Sequence, residues 1–506
     1  MQQKLRQQKI EVLPLADKTL PEILELDEPP FLNPGEAHSQ LSHVEQYVRQ
    51  HGGRGVVVEH HYIDRDFMEE YSVFYSKSLT PYPNSCRRVS FFSLDPADLR
   101  REFKRLLKIR DQEPFEAASK EFSEKHYLGF SVIKPLDGCP VGRTVLRCSP
   151  GKPQRGYTDL FPCACGYTAH LFGIPLIVQG LAFQQQDLGV SACATTALWS
   201  ALQRARELEE SVAATPAQIT MRASQFALPF GRAMPSEGLS VEQMCQAAHS
   251  LGHAPYLFRA SESFEESRAL LYSSVQSGVA PVLILSRPSG SKHAVAVAGM
   301  RIKSAHTINE LGELFDDRSG DLVQLYVHDD RIGPYLSAEI RQRKKQLVLQ
   351  LPTGRSENWL LSHVLVPMHP KIRLSFAELR GAAIQLVKSA HAHRQWLRQW
   401  FNVPIELPLV DYRILKAHAY VQSLRSESNV TDLLVKNLCE SVAFSRYVAC
   451  VRIQADDLDP IDVLLDTTGT QKNISSLAIV QTRNSLPLTA AMAALLGEEY
   501  RCQVIS

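Results

Sequence analysis

Apolar residues recur at helical spacing from Cys193 to about residue 208, and the repeat predicts an amphipathic helix there. Its inner face carries Leu198, Ala201, Leu202 and Ala205. Trp199 falls on the opposite side from Cys193, where we expect it to pack rather than to contact a ligand. Two more helices are predicted downstream, over 241–250 with Ser240 as N-cap and over roughly 264–276.

The pattern then changes to runs that alternate in steps of two, which is typical of strands. Such runs cover residues 281–286, 293–300 and 322–328. Helices followed by a set of antiparallel strands indicate an α+β arrangement. The polar, acidic segment 301–320 separates the last two runs, and we interpret it as a long hairpin excursion.

Composition shifts divide the chain of 506 residues into four parts, which is a reasonable number for this length. The expected parts are a loose N-terminal arm over 1–35, an N-terminal α/β region over 36–180, a central domain over 181–350 and a C-terminal α+β region over 351–506.

The C-terminal region has weaker patterns than the central domain. A strand is predicted near 363–367 and helices are predicted near 376–401 and 407–424. Two more strands are expected over 446–454 and 461–466. We therefore describe the whole chain as α+β, with a central helical lobe against an antiparallel sheet and with α/β regions flanking it.

Charge and composition exclude several classes of partner. The formal net charge is only +1, so there is no global electrostatic reason to expect binding to nucleic acid or to an anionic membrane. The start of the chain, residues 1–18, is polar and lacks the apolar segment of a signal peptide. Ten cysteines without an export signal favour a reducing compartment with free thiols. These features predict a cytoplasmic protein.

Cys193 is the strongest candidate for chemistry because it opens a helix. A thiol attacks as its thiolate, and the N–H groups and dipole at a helix N-terminus favour that anion. Ser191 is the expected N-cap. The Cys193 N–H and one amide among Gln184, Gln185 and Gln186 can supply the donors that a developing oxyanion needs. Gln186 is our choice among the three.

A base and an orienting acid follow Cys193 in the sequence. His293 starts an alternating strand after a turn-rich stretch, which places it at the mouth of that strand. Asp329 ends the next strand, where its carboxylate can fix the tautomer of an imidazole. Asp330 is a close alternative for the same role.

A metal or cofactor site is not predicted. Cys163, Cys165 and His170 lie close together in the sequence, but their spacing matches no common zinc module. We interpret the two cysteines as buried or idle thiols, and we expect no cofactor.

The order of cysteine, histidine and carboxylate resembles the papain-like cysteine peptidase superfamily, and most closely its bacterial branch related to the C39 peptidases. The resemblance covers about residues 180–340 and implies Cys193 as nucleophile, His293 as general base, Asp329 as orienter and an upstream glutamine as oxyanion donor. The chain departs from the family at Asp187, which stands six residues before Cys193, where the family has glutamine.

The resemblance implies an intracellular, protease-type thiol hydrolase that cuts a peptide or isopeptide bond in a peptide or protein substrate. The flanking regions are then expected to select the substrate, to gate the cleft or to bind a regulatory protein. Two alternatives stay open. The same site can act as an acyl transferase with transglutaminase-like chemistry, or the fold can serve as a catalytically inactive interaction protein.

Overall fold

The computed structural model describes most of the chain. The described residues are 10–16, 18–24, 26, 39–79, 81–136, 138–148, 154–187, 192–209, 213–225, 238–260, 263–304, 316–352, 357–392, 409–454, 459–469, 476–481 and 503–505. Within them the protein is a mixture of helices and mainly antiparallel sheets.

The N-terminal region is a five-stranded antiparallel sheet with helices packed against it. Its strands, in spatial order, are β1 (Ile10–Pro14), β2 (Gly55–Tyr62), β3 (Cys86–Phe92), β4 (Tyr127–Ile133) and β5 (Val141–Leu146). The helices are α1 (Leu20–Ile23), α2 (Ser39–Gln50), α3 (Arg65–Val73), α4 (Pro96–Leu106) and α5 (Gln112–His126). Three short strands follow, namely β6 (Tyr157–Leu160), β7 (Cys165–Leu171) and β8 (Ile174–Gly180), of which the last two form a hairpin.

The central region combines helices with a strongly curved sheet. The helices are α6 (Cys193–Glu209), α7 (Pro216–Ala223), α8 (Val241–Ser250) and α9 (Phe264–Gln276). The strands are β9 (Ala254–Arg259), β10 (Val282–Ser286), β11 (Lys292–Lys303), β13 (Leu322–Asp329), β14 (Gly333–Arg343), β15 (Gln346–Leu351) and β16 (Glu357–Met368). The helices predicted at 193–208, 241–250 and 264–276 are confirmed, and the Ser240 hydroxyl caps α8 as expected.

Six of these strands close into a barrel because the first, β10, pairs with the last, β16. The order around the barrel is β10, β11, β13, β14, β15 and β16. Strand β9 pairs with β16, and β6 pairs with β11. The barrel therefore takes strands from both sides of the boundary expected at residue 350.

The C-terminal region is a second sheet with helices. Its strands, in spatial order, are β12 (Asp316–Asp317), β17 (Leu409–Lys416), β18 (Tyr447–Gln454), β19 (Ile461–Asp466), β20 (Ser476–Val480) and β21 (Gln503–Ile505). The helices are α10 (Phe376–Ala392), α11 (Ala417–Arg425) and α12 (Asp432–Ser441). Because β12 precedes β13 in the chain, the segment predicted as a hairpin excursion also supplies an edge strand to this sheet. Residues 305–315 of that segment lie outside the described residues.

The helix predicted over 407–424 is wrong in its first half. Residues 409–416 form β17, and only the part from Ala417 onward is helical. Val410, Tyr412 and Ile414 are buried while their neighbours are partly exposed, which is the two-residue period of a strand. The apolar residues of the strand are followed directly by those of the helix, with no turn residue between them. The sequence pattern therefore does not separate the two-residue period of the strand from the helical period that follows.

Helix α6 packs against the barrel strands β10, β11, β13 and β16. Its predicted inner face is confirmed, because Leu198, Ala201, Leu202 and Ala205 are all buried. Trp199 is fully buried too, which agrees with the prediction that it packs in the core. No helix among the described residues is long and apolar enough to cross a lipid bilayer.

Candidate functional site

Cys193 is the first residue of α6, and its side chain is only partly buried. The next turn of the helix is packed against the barrel, since Ala194 and Ala197 are buried. The thiol therefore lies where the helix meets the surface. Ser191, the predicted N-cap, lies outside the described residues.

His293 is the second residue of β11, and it lies beside the start of α6. Its side chain is 4% exposed, and the Cys193 side chain is close enough to raise the pKa of the imidazole. Behind it, Val295 and Val297 continue the strand into the core and are completely buried. The imidazole is therefore held on a rigid strand at the end of the barrel, next to the thiol.

Asp329 ends β13 and is the closest carboxylate to the imidazole. Its Oδ1 lies 3.0 Å from Nε2 of His293, and its side chain is completely buried. The nearest oxygen of Asp330 lies 3.8 Å from the same nitrogen. The structure thus brings Asp329 against His293, with Asp330 slightly farther away.

Arg331 holds Asp329 from the opposite side. Its guanidinium Nη2 donates to Oδ2 at 3.1 Å and its backbone N–H donates to Oδ1 at 3.0 Å. A carboxylate that accepts hydrogen bonds from two or more donors keeps a fixed orientation. Arg331 therefore helps to aim Asp329 at His293.

The charges of this cluster shift each other's pKa values. Burial lowers the pKa of His293, but Asp329 and Cys193 outweigh it and raise the pKa to about 10. Burial would raise the pKa of Asp329, yet His293 and Arg331 hold it well below its usual range. An ion pair of imidazolium and carboxylate is the stable form at neutral pH.

Asp330 behaves differently from Asp329. Burial and the neighbouring Asp329 carboxylate raise its pKa to about 7, although His293 opposes this shift. Neither carboxylate oxygen of Asp330 has a hydrogen-bond partner in the described structure. Two carboxylates that share one site resist simultaneous ionisation, so Asp329 is the one that pairs with the imidazole.

Trp359 on β16 forms the wall beside His293. The two ring centroids are 5.6 Å apart, and the indole is almost completely buried. The guanidinium carbons of Arg287 and Arg331 lie 4.2 Å and 5.2 Å from the indole centroid. Such cation–π contacts fix the indole in place, and the indole keeps water from the imidazole side of the cluster.

Helix α2 of the N-terminal region contacts the segment that follows Asp329. Gln40 donates its side-chain amide to the carbonyl of Asp330 at 3.3 Å, and His43 Nε2 donates to the carbonyl of Pro334 at 3.0 Å. Gly333 lies flat against the His43 ring, where a Cβ would overlap that ring. The N-terminal region therefore fixes the segment carrying the acids.

The N-terminal region also holds the loop that precedes Cys193. The Gln185 amide donates to the Gly138 carbonyl at 3.1 Å, and its oxygen accepts from the Val141 N–H at 3.3 Å. Gln184 is buried, whereas the side chain of Gln186 is exposed. Gln185 is thus occupied in the loop itself, while the choice between Gln184 and Gln186 as oxyanion donor stays a prediction.

Asp187, which stands six residues before Cys193, joins a buried ion cluster. Its carboxylate lies 3.6 Å from Nζ of Lys134, which also contacts Glu70 at 3.0 Å. All three side chains are 2% exposed or less. Burial raises the pKa of Glu70 to about 7, against the opposing effect of Lys134. One buried ammonium therefore holds the loop before Cys193 to α3.

The only group of possible metal ligands found in the described residues is His293, Asp329 and Asp330. Asp329 is a poor free ligand there, because its oxygens already accept from Arg331 and face His293. A metal ion would have to displace these contacts. The residues present fit an imidazole orienter better than a metal site.

The remaining candidates of the sequence do not join this cluster. Cys163 and Cys165 are buried free thiols, and burial raises the pKa of both to about 12. Cys165 donates to the carbonyl of Cys163 at 3.7 Å, and His170 is exposed on β7. The two thiols are thus buried, as expected.

Sequence reasoning missed four contributors to the site, namely Gln40, His43, Arg331 and Trp359. The contact of Arg331 with Asp329 can be inferred from the sequence, because a cation two residues after an acid can reach that acid within a turn. Trp359, Gln40 and His43 carried none, since long-range pairing brings them to the site.

Comparison with known proteins gives no assignment. No protein-family model matches the chain, and no curated protein matches it.

Proposed function

We propose that this protein is a thiol hydrolase that cleaves an amide bond in a peptide or protein through an acyl-enzyme. The observation that carries the proposal is the 3.0 Å approach of the buried Asp329 carboxylate to the His293 imidazole, whose pKa the Cys193 side chain also raises. Such an arrangement at the start of a helix is what a thiol nucleophile and its base require. The papain-like fold and its C39-related branch stay part of this proposal.

The chemistry follows from the positions of the protons. Cys193 reacts as the thiolate that faces the His293 imidazolium, and its sulfur adds to the carbonyl carbon of the substrate. The C–N bond then breaks as the His293 imidazolium protonates the leaving amine, which leaves a thioester on Cys193. Water, deprotonated by His293, adds to the thioester, and the carboxylic acid and the free thiol are released. Asp329 holds the imidazole throughout.

Acyl transfer is the second reaction that the same site can catalyse. An amine in place of water would then accept the acyl group from the Cys193 thioester. The buried indole of Trp359 does not by itself distinguish hydrolysis from acyl transfer. Because it excludes water from one side of the His293 ring, however, it lowers the water concentration near the thioester. Product analysis with and without an added primary amine separates the two reactions.

The reactivity of Cys193 towards iodoacetamide tests the proposal directly. We expect Cys193 to be alkylated faster than an ordinary thiol below pH 8, because the imidazolium favours its thiolate. His293→Ala should remove this advantage, so that Cys193 then reacts no faster than an ordinary accessible thiol. Peptide mapping by mass spectrometry gives the rate at each cysteine separately.

The chain supplies its own reference thiol for this measurement. Cys439 is exposed on α12, so its rate reports an ordinary accessible cysteine in the same sample. Equal pH dependence at Cys193 and Cys439 would overturn the proposal and favour the inactive interaction protein. A Cys193 advantage that survives in His293→Ala would separate the thiol from the imidazole and would also contradict the mechanism.

The upstream glutamines give a further prediction. We expect Gln186→Ala to lower turnover about 100- to 1000-fold, as the loss of one oxyanion donor typically does. Its exposed side chain must turn into the cleft when substrate binds, so Gln184→Ala and Gln185→Ala are the matched comparisons. Alkylation of Cys193 should hardly change, because it forms no oxyanion. Undiminished turnover in all three variants would show that no glutamine of this loop is the donor.

A further inference from the structure

A cavity lies near the end of α6 that is farther from Cys193. Its volume is about 370 Å³, and it is bounded by the last turns of α6, the end of the barrel and the C-terminal sheet. Its lining includes Arg204 and Glu207 of α6, Phe376 of α10, and Ile414, Lys416 and Tyr447 of the C-terminal region.

Most of this lining is apolar and rigid. Met368, Phe376, Ile414 and Tyr447 are buried side chains that belong to the main hydrophobic core. A cavity of a few hundred cubic ångströms with an apolar wall and a small number of polar groups is typical of small-molecule sites. The size and the lining therefore fit the body of an aromatic or aliphatic ligand.

The charged groups of the lining fall into two sets. Arg204 is ion-paired with Glu207, and its Nε donates to the Gly278 carbonyl at 3.2 Å. Glu207 also accepts from the Gly166 N–H at 2.7 Å. These two side chains are thus used by the fold and largely neutralise each other.

Lys416 and His418 form the second set, at the start of α11. In the described part of the chain neither of them is in an ion pair, and Lys416 makes no side-chain hydrogen bond to cap the helix. Lys416 is partly buried and His418 is exposed, so the positive charge lies at the mouth of an apolar cavity. A ligand with an anionic group at the mouth and an apolar group inside the cavity therefore matches both the Lys416 charge and the apolar lining.

We propose that this cavity binds a small amphipathic carboxylate. The apolar body occupies the space between Phe376, Ile414 and Tyr447, and the carboxylate pairs with Lys416 at the mouth. A charge-assisted hydrogen bond of this kind adds to the burial of the apolar body. The class includes arylalkanoic acids and medium-chain fatty acids, which share this chemistry.

The proposed ligand site is separate from the candidate active site. The α6 residues that line the cavity lie 11 to 15 positions after Cys193, and a helix rises about 1.5 Å per residue, so the two sites lie roughly 20 Å apart. The carboxylate proposal therefore does not depend on the activity of Cys193. Because three parts of the molecule form the wall, a bound ligand also stabilises their packing.

Binding of 4-phenylbutyrate to the full-length protein tests the proposal. Isothermal titration calorimetry and thermal unfolding at constant ionic strength compare it with the neutral isostere 4-phenylbutanamide and with butyrate, which lacks the aromatic body. We expect saturable binding of 4-phenylbutyrate with a rise in Tm, roughly tenfold weaker binding of the amide and no measurable binding of butyrate.

Two variants and one control locate the ligand. Lys416→Gln should weaken 4-phenylbutyrate about tenfold without affecting the amide, and Ala419→Phe should fill the cavity and abolish both. Lys436→Gln is the matched control, since this lysine is exposed on α12 and, within the described residues, has Glu440 as its ion-pair partner. If Ala419→Phe fails to fold, Lys416→Gln still decides, because its side chain adds little to the core.

Three results would overturn the proposal. Equal affinity for 4-phenylbutyrate and its amide would remove the role of the carboxylate. An unchanged affinity in Lys416→Gln would place the ligand elsewhere. Protection of Cys193 from iodoacetamide by 4-phenylbutyrate would place the ligand in the candidate active site instead, whatever that site then proves to do.

Discussion

Cys193→Ala is expected to lower turnover at least about a hundred-thousandfold, because no other group can form the acyl-enzyme. The free energy of unfolding should change little, since the thiol is partly exposed and packs little apolar surface. Turnover of a peptide substrate and denaturant unfolding, measured on the same samples, check both parts. His293→Ala should be nearly as severe, whereas Asp329→Ala should cost less because an orienter only aims the base.

Cys245→Ala is the matched control for this substitution. Cys245 is also partly buried, on α8, and burial raises the pKa of its thiol, so it is not expected to take part in chemistry. Wild-type turnover in Cys193→Ala would refute the thiol mechanism at once. Unfolding of Cys193→Ala, with full activity in the molecules that stay folded, would show instead that Cys193 is structural.

Lys134→Met is expected to destabilise the protein by about 3–5 kcal/mol, which is typical when one partner of a buried ion pair is removed. Glu70 and Asp187 would lose the Lys134 ammonium and would remain almost completely buried. We expect a lower urea midpoint, and we also expect slower alkylation of Cys193, because Asp187 anchors the loop that leads to it. Both effects are measurable on the purified protein.

Two comparison variants separate the buried cluster from a general loss of charge. Lys120→Met removes a surface lysine that pairs with Glu124 on the same helix, and it should cost less than about 1 kcal/mol. Adding Glu70→Gln to Lys134→Met should recover part of the lost stability, because it removes one uncompensated carboxylate. Equal effects of Lys134→Met and Lys120→Met would show that the buried contacts contribute nothing.

The sequence predicts those parts of the fold that depend on local periodicity. The helix from Cys193 and the strand from His293 were predictable, because their apolar residues follow one period each and caps or turns mark their ends. Closure of the barrel was not predictable, because it depends on pairing between β10 and β16, which no local pattern records. The helix wrongly predicted over 409–416 shows the same limit on a small scale, because the strand period and the helix period meet there without a turn residue.

The candidate site also has residues that the sequence predicts and residues that it does not. Cys193, His293 and Asp329 could be proposed from residue type and position at the ends of elements. The second carboxylate was visible too, but the sequence could not tell which of Asp329 and Asp330 faces the imidazole. The support from Gln40 and His43 was hidden, because it comes from a helix almost 300 positions earlier in the chain.

Closure of the barrel by β16 has a consequence for synthesis on the ribosome. Val282 in β10 pairs with Leu365 in β16, so the nascent chain cannot complete the barrel until that late strand has emerged. Until then both edge strands carry unpaired backbone groups, which invite pairing with other chains. The N-terminal sheet can form first, since domains generally fold in the order of their synthesis. His293 and Asp329 lie on strands of the unfinished barrel, so the imidazole and its acid are held in a closed structure only after the ribosome has passed the residues that follow them.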